Sequence, residues 1–138
     1  MARLNDPEAI RRLLAESEVW AVVGLDDNPR RPAHGVARFL QERGKRIVPV
    51  HPRAATVHGE RGYASLADIP FDVDVVDVFR RADAAGAVAD EALRRPEVKG
   101  VWFQLGVVDA AAAERVLAAG RVMVMDRCPA IEWPRLLG

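Results

Sequence analysis

The chain has 138 residues, half of them hydrophobic, with 20 basic and 20 acidic side chains. That length suits one domain with a single core spanning residues 1–138, and a formal charge of zero argues against a general nucleic-acid or membrane binder, which would carry a basic surplus. No apolar run reaches about 18 residues, the charged start MARLNDPEAIRRLLAE holds no apolar signal core, and the one cysteine, Cys128, has no internal partner, so the chain reads as soluble and cytoplasmic.

Asn5 or Asp6 can cap a first helix, with Pro7 in its opening turn and Glu8 at the positive end of its dipole. Ile10, Leu13 and Leu14 form an apolar stripe at helical spacing, which places this helix on the sheet edge. Residues 19–23 are a strand, and a helix follows over 33–43 with Ala33, Val36, Ala37 and Leu40 on one face and Gly44 placed to end it. A second strand, 47–50, stops at His51-Pro52-Arg53. The stretch 54–70 is less regular: Tyr63 reads as a short strand between Gly62 and Leu66, and SLADIP as a brief helical turn. Then come a strand over 73–79, a helix over 83–95 closed by Pro96, and a strand over 98–105. Asp109 can cap an alanine-rich helix, thin enough to pack close to the sheet, that ends at Gly120, and 122–125 is the last strand.

Strands alternating with helices of about 10–13 residues imply right-handed crossovers and a mainly parallel sheet covered on both faces. The strands are apolar throughout, as strands buried on both sides should be. The expected class is therefore α/β: a Rossmann-like three-layer α/β/α fold with about five strands.

In such a sheet, ligands bind outside the carboxyl ends of the strands, near the point where strand order reverses. Gly24, Asp26, Asn28 and Arg30 follow the first strand; His51, Pro52 and Arg53 follow the second. Phe79, Arg80 and Arg81 follow the third, Gln104, Leu105 and Gly106 the fourth, and Asp126, Arg127 and Cys128 the last. Four of these five ends carry arginine although the chain as a whole is neutral, which suits a polyanion with several phosphates. The glycine at the first strand end and the helix aimed back at it add bare N–H groups for a phosphate, and Arg30 and Arg31 on the loop between them offer side-chain cations.

A dinucleotide oxidoreductase fits less well. GxGxxG is absent, and an NAD site favours an acidic residue after the second strand, where this chain has His51 and Arg53. Those residues suit a ribose phosphate, which NADP and coenzyme A both carry. A chain of 138 residues leaves no room for a dehydrogenase's substrate domain.

The blocks VVGLDDNPRRP, IVPVHPRA, SLADIP with DVVDVFRR, WFQLGVVD and MDRCPAIE stand in one order over residues 19–132. In these blocks the sequence resembles the small stand-alone CoA-binding proteins, relatives of the CoA-binding domain of the succinyl-CoA synthetase alpha subunit. The resemblance implies a Rossmann-like fold with coenzyme A or an acyl-CoA laid across the strand ends. It implies that the loop holding Gly24, Asp26, Asn28 and Arg30 takes the pyrophosphate, and that His51, Pro52 and Arg53 lie near the adenosine and its ribose phosphate. Phe79 and Arg80 then flank the adenine or phosphates, and Gln104 and Gly106 line the pantetheine path. Leu25 and Asp26 depart from the small residues common in the family at that loop. The synthetase's phosphohistidine domain and partner subunit have no counterpart, so ligase activity does not transfer.

Other residues read as scaffold. Arg94 and Arg95 sit at a helix C-terminus and read as solvated cations, and Cys128 as a packed small residue before Pro129. Asp74 and Asp77 face opposite ways in a strand, which spoils acid–base pairing and leaves Asp77 as hydrogen-bonded scaffold. His34, His51 and His58 show no metal-ligand spacing, and Trp20, Trp102 and Trp133 read as core or rim. No general base and nucleophile stand together, so a binding module without catalysis ranks first. An NADP-dependent enzyme, or a CoA ligase or transferase component needing a partner, ranks second, and a regulatory protein switched by CoA occupancy third. Any protein partner or homo-oligomer is left open.

Overall fold

A computed structural model describes residues 3–138 of the chain. Its elements are α1 (Pro7–Glu16), β1 (Val19–Val23), α2 (Pro32–Glu42), β2 (Arg46–Val50), a 3-10 turn (Leu66–Asp68), β3 (Val75–Val78), α3 (Ala82–Leu93), β4 (Gly100–Phe103), α4 (Ala110–Ala118), β5 (Val122–Val124) and α5 (Pro129–Leu137). The five strands form one parallel sheet in the order β2-β1-β3-β4-β5. The chain leaves β1 toward β2 and then returns to add β3 on the other side of β1. Strand order therefore reverses between β1 and β3, a doubly wound, Rossmann-like arrangement.

Period-two alternation divides the apolar strands between two cores. Ala21, Val23, Val48, Val76, Val101, Phe103 and Met123 face α3 and α4, and Trp20, Val22, Ile47, Val75, Trp102 and Val124 face α1, α2 and α5. Alanines on α3 and α4 (Ala85, Ala89, Ala92, Ala112, Ala113) bring those helices close to the sheet. On the other face Trp20 and Trp102 fill the space with ring centroids 5.7 Å apart.

The first helix does lie at the sheet edge, but neither candidate cap works as one. Asp6 stands at the N-cap with no capping hydrogen bond, and its carboxylate instead meets Arg3 at 3.1 Å. Asn5 continues the sheet edge: its N–H donates to Met123 O, its Nδ2 donates to Met125 O at 3.0 Å, and its Oδ1 accepts the Met125 N–H at 2.7 Å. These bonds occupy the open side of β5. Asp109 caps as expected, accepting the Ala112 N–H at 3.0 Å. Tyr63 forms a single bridge to Val50 rather than a strand, and SLADIP closes into the 3-10 turn.

Three features of the sequence reading are corrected. Helix α5 follows the last strand; Pro134 inside it masks its pattern, although Pro129 opens it in the favoured first position. Arg95 is no solvated cation: its side chain is 16% exposed, and it donates to the carbonyls of Leu66, Ile69 and Phe71 while pairing with Glu97 at 2.8 Å. Asp77 is fully buried in β3, and neither carboxylate oxygen has a hydrogen-bond partner. Burial disfavours its charged form and pushes its carboxyl well above the usual range. Asp74, in contrast, accepts the N–H groups of Glu18 and Val19 at 2.9 Å each and fixes the start of β1.

Candidate ligand groove at the strand ends

Gly24 sets the geometry of the groove. It has φ +101°, and a Cβ there would lie 2.3 Å from the Phe79 carbonyl oxygen, so only glycine allows the ends of β1 and β3 to approach this closely. Its N–H donates to Val50 O at 2.8 Å and the Phe79 N–H donates to Val23 O at 2.8 Å, which locks three strand ends together. Beyond it the loop is shaped by two successive turns: Asp26 accepts the Asn28 N–H at 3.1 Å, and Asn28 accepts the Arg30 N–H at 3.0 Å. The chain then enters α2 at Pro32.

Two helices open on this spot without side-chain caps. Arg31 is the N-cap of α2 and Arg81 the N-cap of α3, and neither helix has a side chain bonded to its leading N–H groups. Uncapped N-termini leave donors and partial positive charge for an anion. Arg80 stands between them and has no acidic partner within ion-pair distance among the described residues, while Arg81 meets Asp83 at 3.4 Å, with both side chains exposed.

The groove has two arms that share Gly24, Arg31, Phe79, Arg80 and Arg81. One, of about 380 Å³, is mostly apolar and adds Pro32, Ala33, Gln104, Leu105 and Val107. The other, of about 310 Å³, is polar and adds Asp26, His51 and Pro52. Behind the polar arm a narrower slot of about 130 Å³ runs past His51, Pro52 and Arg80 to Leu66 and Val88. Gln104 is only 7% exposed, and its Oε1 is buried with no hydrogen-bond partner.

Asp26 is buried in the wall of the polar arm and ion-paired to Arg53, with His51 Nε2 3.8 Å away. Burial raises its carboxyl, but the Asn28 N–H, the Arg53 guanidinium and His51 outweigh that and hold it below the usual carboxylate range. The backbone of Arg53 also donates to His51 Nδ1 at 3.2 Å within the loop after β2, and the Asp26–Arg53 pair ties that loop to the one after β1.

A family model described as CoA binding domain matches residues 18–134. The chain belongs to the CoA-binding domain family. It is 36% identical over 119 residues to protein YneT of Bacillus subtilis (strain 168), covering 86% of this chain and 87% of that one. A solved structure of a Pyrococcus horikoshii OT3 protein superimposes with a TM-score of 0.90 at 33% identity, covering 100% of this chain and 99% of that one. The dinucleotide-forming acetyl-coenzyme A synthetase 1 of Ca. Korarchaeum cryptofilum shares the fold, with a TM-score of 0.71 at 22% identity, over 85% of this chain and 27% of that one.

In this CoA-binding domain the groove brings together Gly24, Asp26, His51, Pro52, Phe79, Arg80 and Gln104 among the residues singled out from sequence. Asn28 shapes the loop from outside the groove wall, and Arg53 reaches the groove only through Asp26. Arg30 is exposed and away from the lining; its neighbour Arg31 lines both arms. Gly106 also lies off the lining and donates its N–H to Asp126 at 2.8 Å. Arg127 turns to the far side, beside Asn5 and Glu132. Arg81 and Leu105, noted after their strands without a ligand role, also line the groove, as do Pro32, Ala33 and Val107, which the sequence does not single out as ligand residues. For Arg31 and Pro32 the signal was present: proline favours the first helical position, which puts Arg31 at the helix mouth. No helix among the described residues is long and apolar enough to cross a membrane.

Proposed function

We propose that this protein binds coenzyme A or an acyl-CoA in the groove between β1 and β3, as a binding module without chemistry of its own. The observation that carries this reading is the meeting of two uncapped helix N-termini with Arg31, Arg80 and Arg81 at the point where strand order reverses. A diphosphate there takes N–H groups from both helices and charge from three guanidiniums. The polar arm and the slot behind it suit the adenosine end, because His51 and Pro52 stand beside the apolar Leu66 and Val88. The apolar arm suits the pantetheine, whose amides can meet Gln104. Membership of the CoA-binding family supports the coenzyme over other phosphorylated adenine carriers.

Binding without catalysis is supported by how the titratable groups at the groove are engaged. Asp26 is occupied by Arg53 and the Asn28 N–H, and Cys128 is buried in the core under α2 and α5. Titration calorimetry with CoA, acetyl-CoA, NADP and ATP tests the reading. CoA or acetyl-CoA is expected to bind at least about tenfold more tightly than NADP or ATP. Preference for NADP would replace this reading with that of an oxidoreductase component.

A further inference from the structure

Asp26 is 6% exposed and collects donors from two loops, the Asn28 N–H and the Arg53 guanidinium, with His51 Nε2 3.8 Å away. Arg53 itself has a side chain that is 64% exposed. Of its five N–H donors, one is given to Asp26, and no other side-chain partner is seen among the described residues. Its remaining donors lie on a mostly exposed side chain held against Asp26, which lines the polar arm. We propose that Asp26 is a positioning residue that holds Arg53 for the phosphomonoester of the ligand, and so sets the site's preference for ligands carrying that group.

The proposal rests on the coenzyme reading above and adds a specificity device to it. Taken together, Asp26 and Arg53 have no net charge, so the pair attracts a phosphate weakly at long range. Arg31, Arg80 and Arg81 supply that attraction. What the pair supplies is geometry. An unanchored arginine would lose rotamer freedom on gripping a phosphate, whereas one already fixed at one end of its planar fork loses less. A phosphate cannot sit against the Asp26 carboxylate, since the charges repel. It must approach Arg53 from the solvent side, which places the phosphomonoester at the rim and the diphosphate inward toward Gly24. The carboxylate is held ionised by its surroundings, so the anchor is present at neutral pH.

The test is the ratio of dissociation constants for dephospho-CoA and CoA, measured by calorimetry on the full chain. Wild type is expected to prefer CoA by about 10- to 100-fold, the scale of one charge-assisted hydrogen-bonded phosphate. Asp26→Asn is expected to reduce that preference to a few-fold by weakening CoA more than dephospho-CoA. Arg53→Ala should abolish the preference, and the double variant should match Arg53→Ala, because the two residues act as one unit. Arg53→Lys, which keeps the charge and loses the fork, should retain an intermediate preference. Asp26→Ser, which can still accept the Asn28 N–H, replaces Asp26→Asn if that variant does not melt cooperatively. An increased preference in Asp26→Asn would make the carboxylate a brake, and equal losses for both ligands would make it a scaffold; either overturns the proposal alone. Wild type that binds neither ligand overturns the coenzyme reading as well.

Discussion

Two residues show how backbone and burial decide what a side chain does. Gly24 is required because β1 and β3 converge on the same point, and its place directly after an apolar run made it legible in advance. Asp77 was not legible in the same way. An aspartate inside an apolar strand reads as hydrogen-bonded scaffold, yet its oxygens lie in the layer of Trp20, Val22 and Trp102 with no donor. Period two told which face it takes; only packing decided that no donor reaches it. Replacing it with an apolar residue of similar size removes an unsatisfied buried acid. Asp77→Val is therefore expected to stabilise the fold by about 2 kcal/mol, read as a rise in melting temperature of roughly 5 °C.

At the level of elements, the segment between β2 and β3 depends on one arginine. The chain from 66 to 71 has little regular structure, and Arg95 at the end of α3 gathers three of its carbonyls. Its position at a helix C-terminus suggested a solvated cation, because dipole arguments are local. The carbonyls it serves come from residues 24 to 29 positions earlier, so no window of sequence contains the interaction. Arg95→Met keeps the aliphatic stem and removes the donors. It is expected to cost about 2–4 kcal/mol and to speed amide hydrogen exchange through residues 66–72 more than elsewhere. Helix α5 was hidden for a different reason: Pro134 removes one donor near the helix end, which a short helix tolerates when α1 and α2 pack against it.

Across the whole molecule, opposite pH dependences meet. Burial and the neighbouring His58 lower the affinity of His34 for protons, although Asp26 and Asp27 oppose this; its ring lies 4.2 Å from that of His58, which bonds the His34 carbonyl. The unfolded chain then takes up protons that the fold resists, so stability falls as pH drops below about 6.5. Asp77 has the opposite sign: the fold keeps a proton that the unfolded chain releases, so stability falls as pH rises above about 3.8. Between these values the two slopes oppose each other. Denaturation midpoints measured from pH 4.5 to 6.5 should therefore rise with pH more steeply in Asp77→Val than in wild type, and less steeply, or fall, in His34→Gln. Parallel profiles for all three proteins would show that neither group is linked to folding.

By itself the sequence determined the layers, the parallel sheet, the glycine at the first strand end and the crowd of arginines beyond the strands. Each of these follows from local pattern: apolar period, helix capping and the residues that punctuate strands. Tertiary structure alone decided which arginines serve the groove. Arg31 rather than Arg30 lines it, Arg53 is tied to Asp26, Arg95 supports a distant loop, and Arg127 faces away. The physical reason is that a long cationic side chain settles on whichever acceptor the fold brings within reach, and those acceptors lie on other elements of the chain.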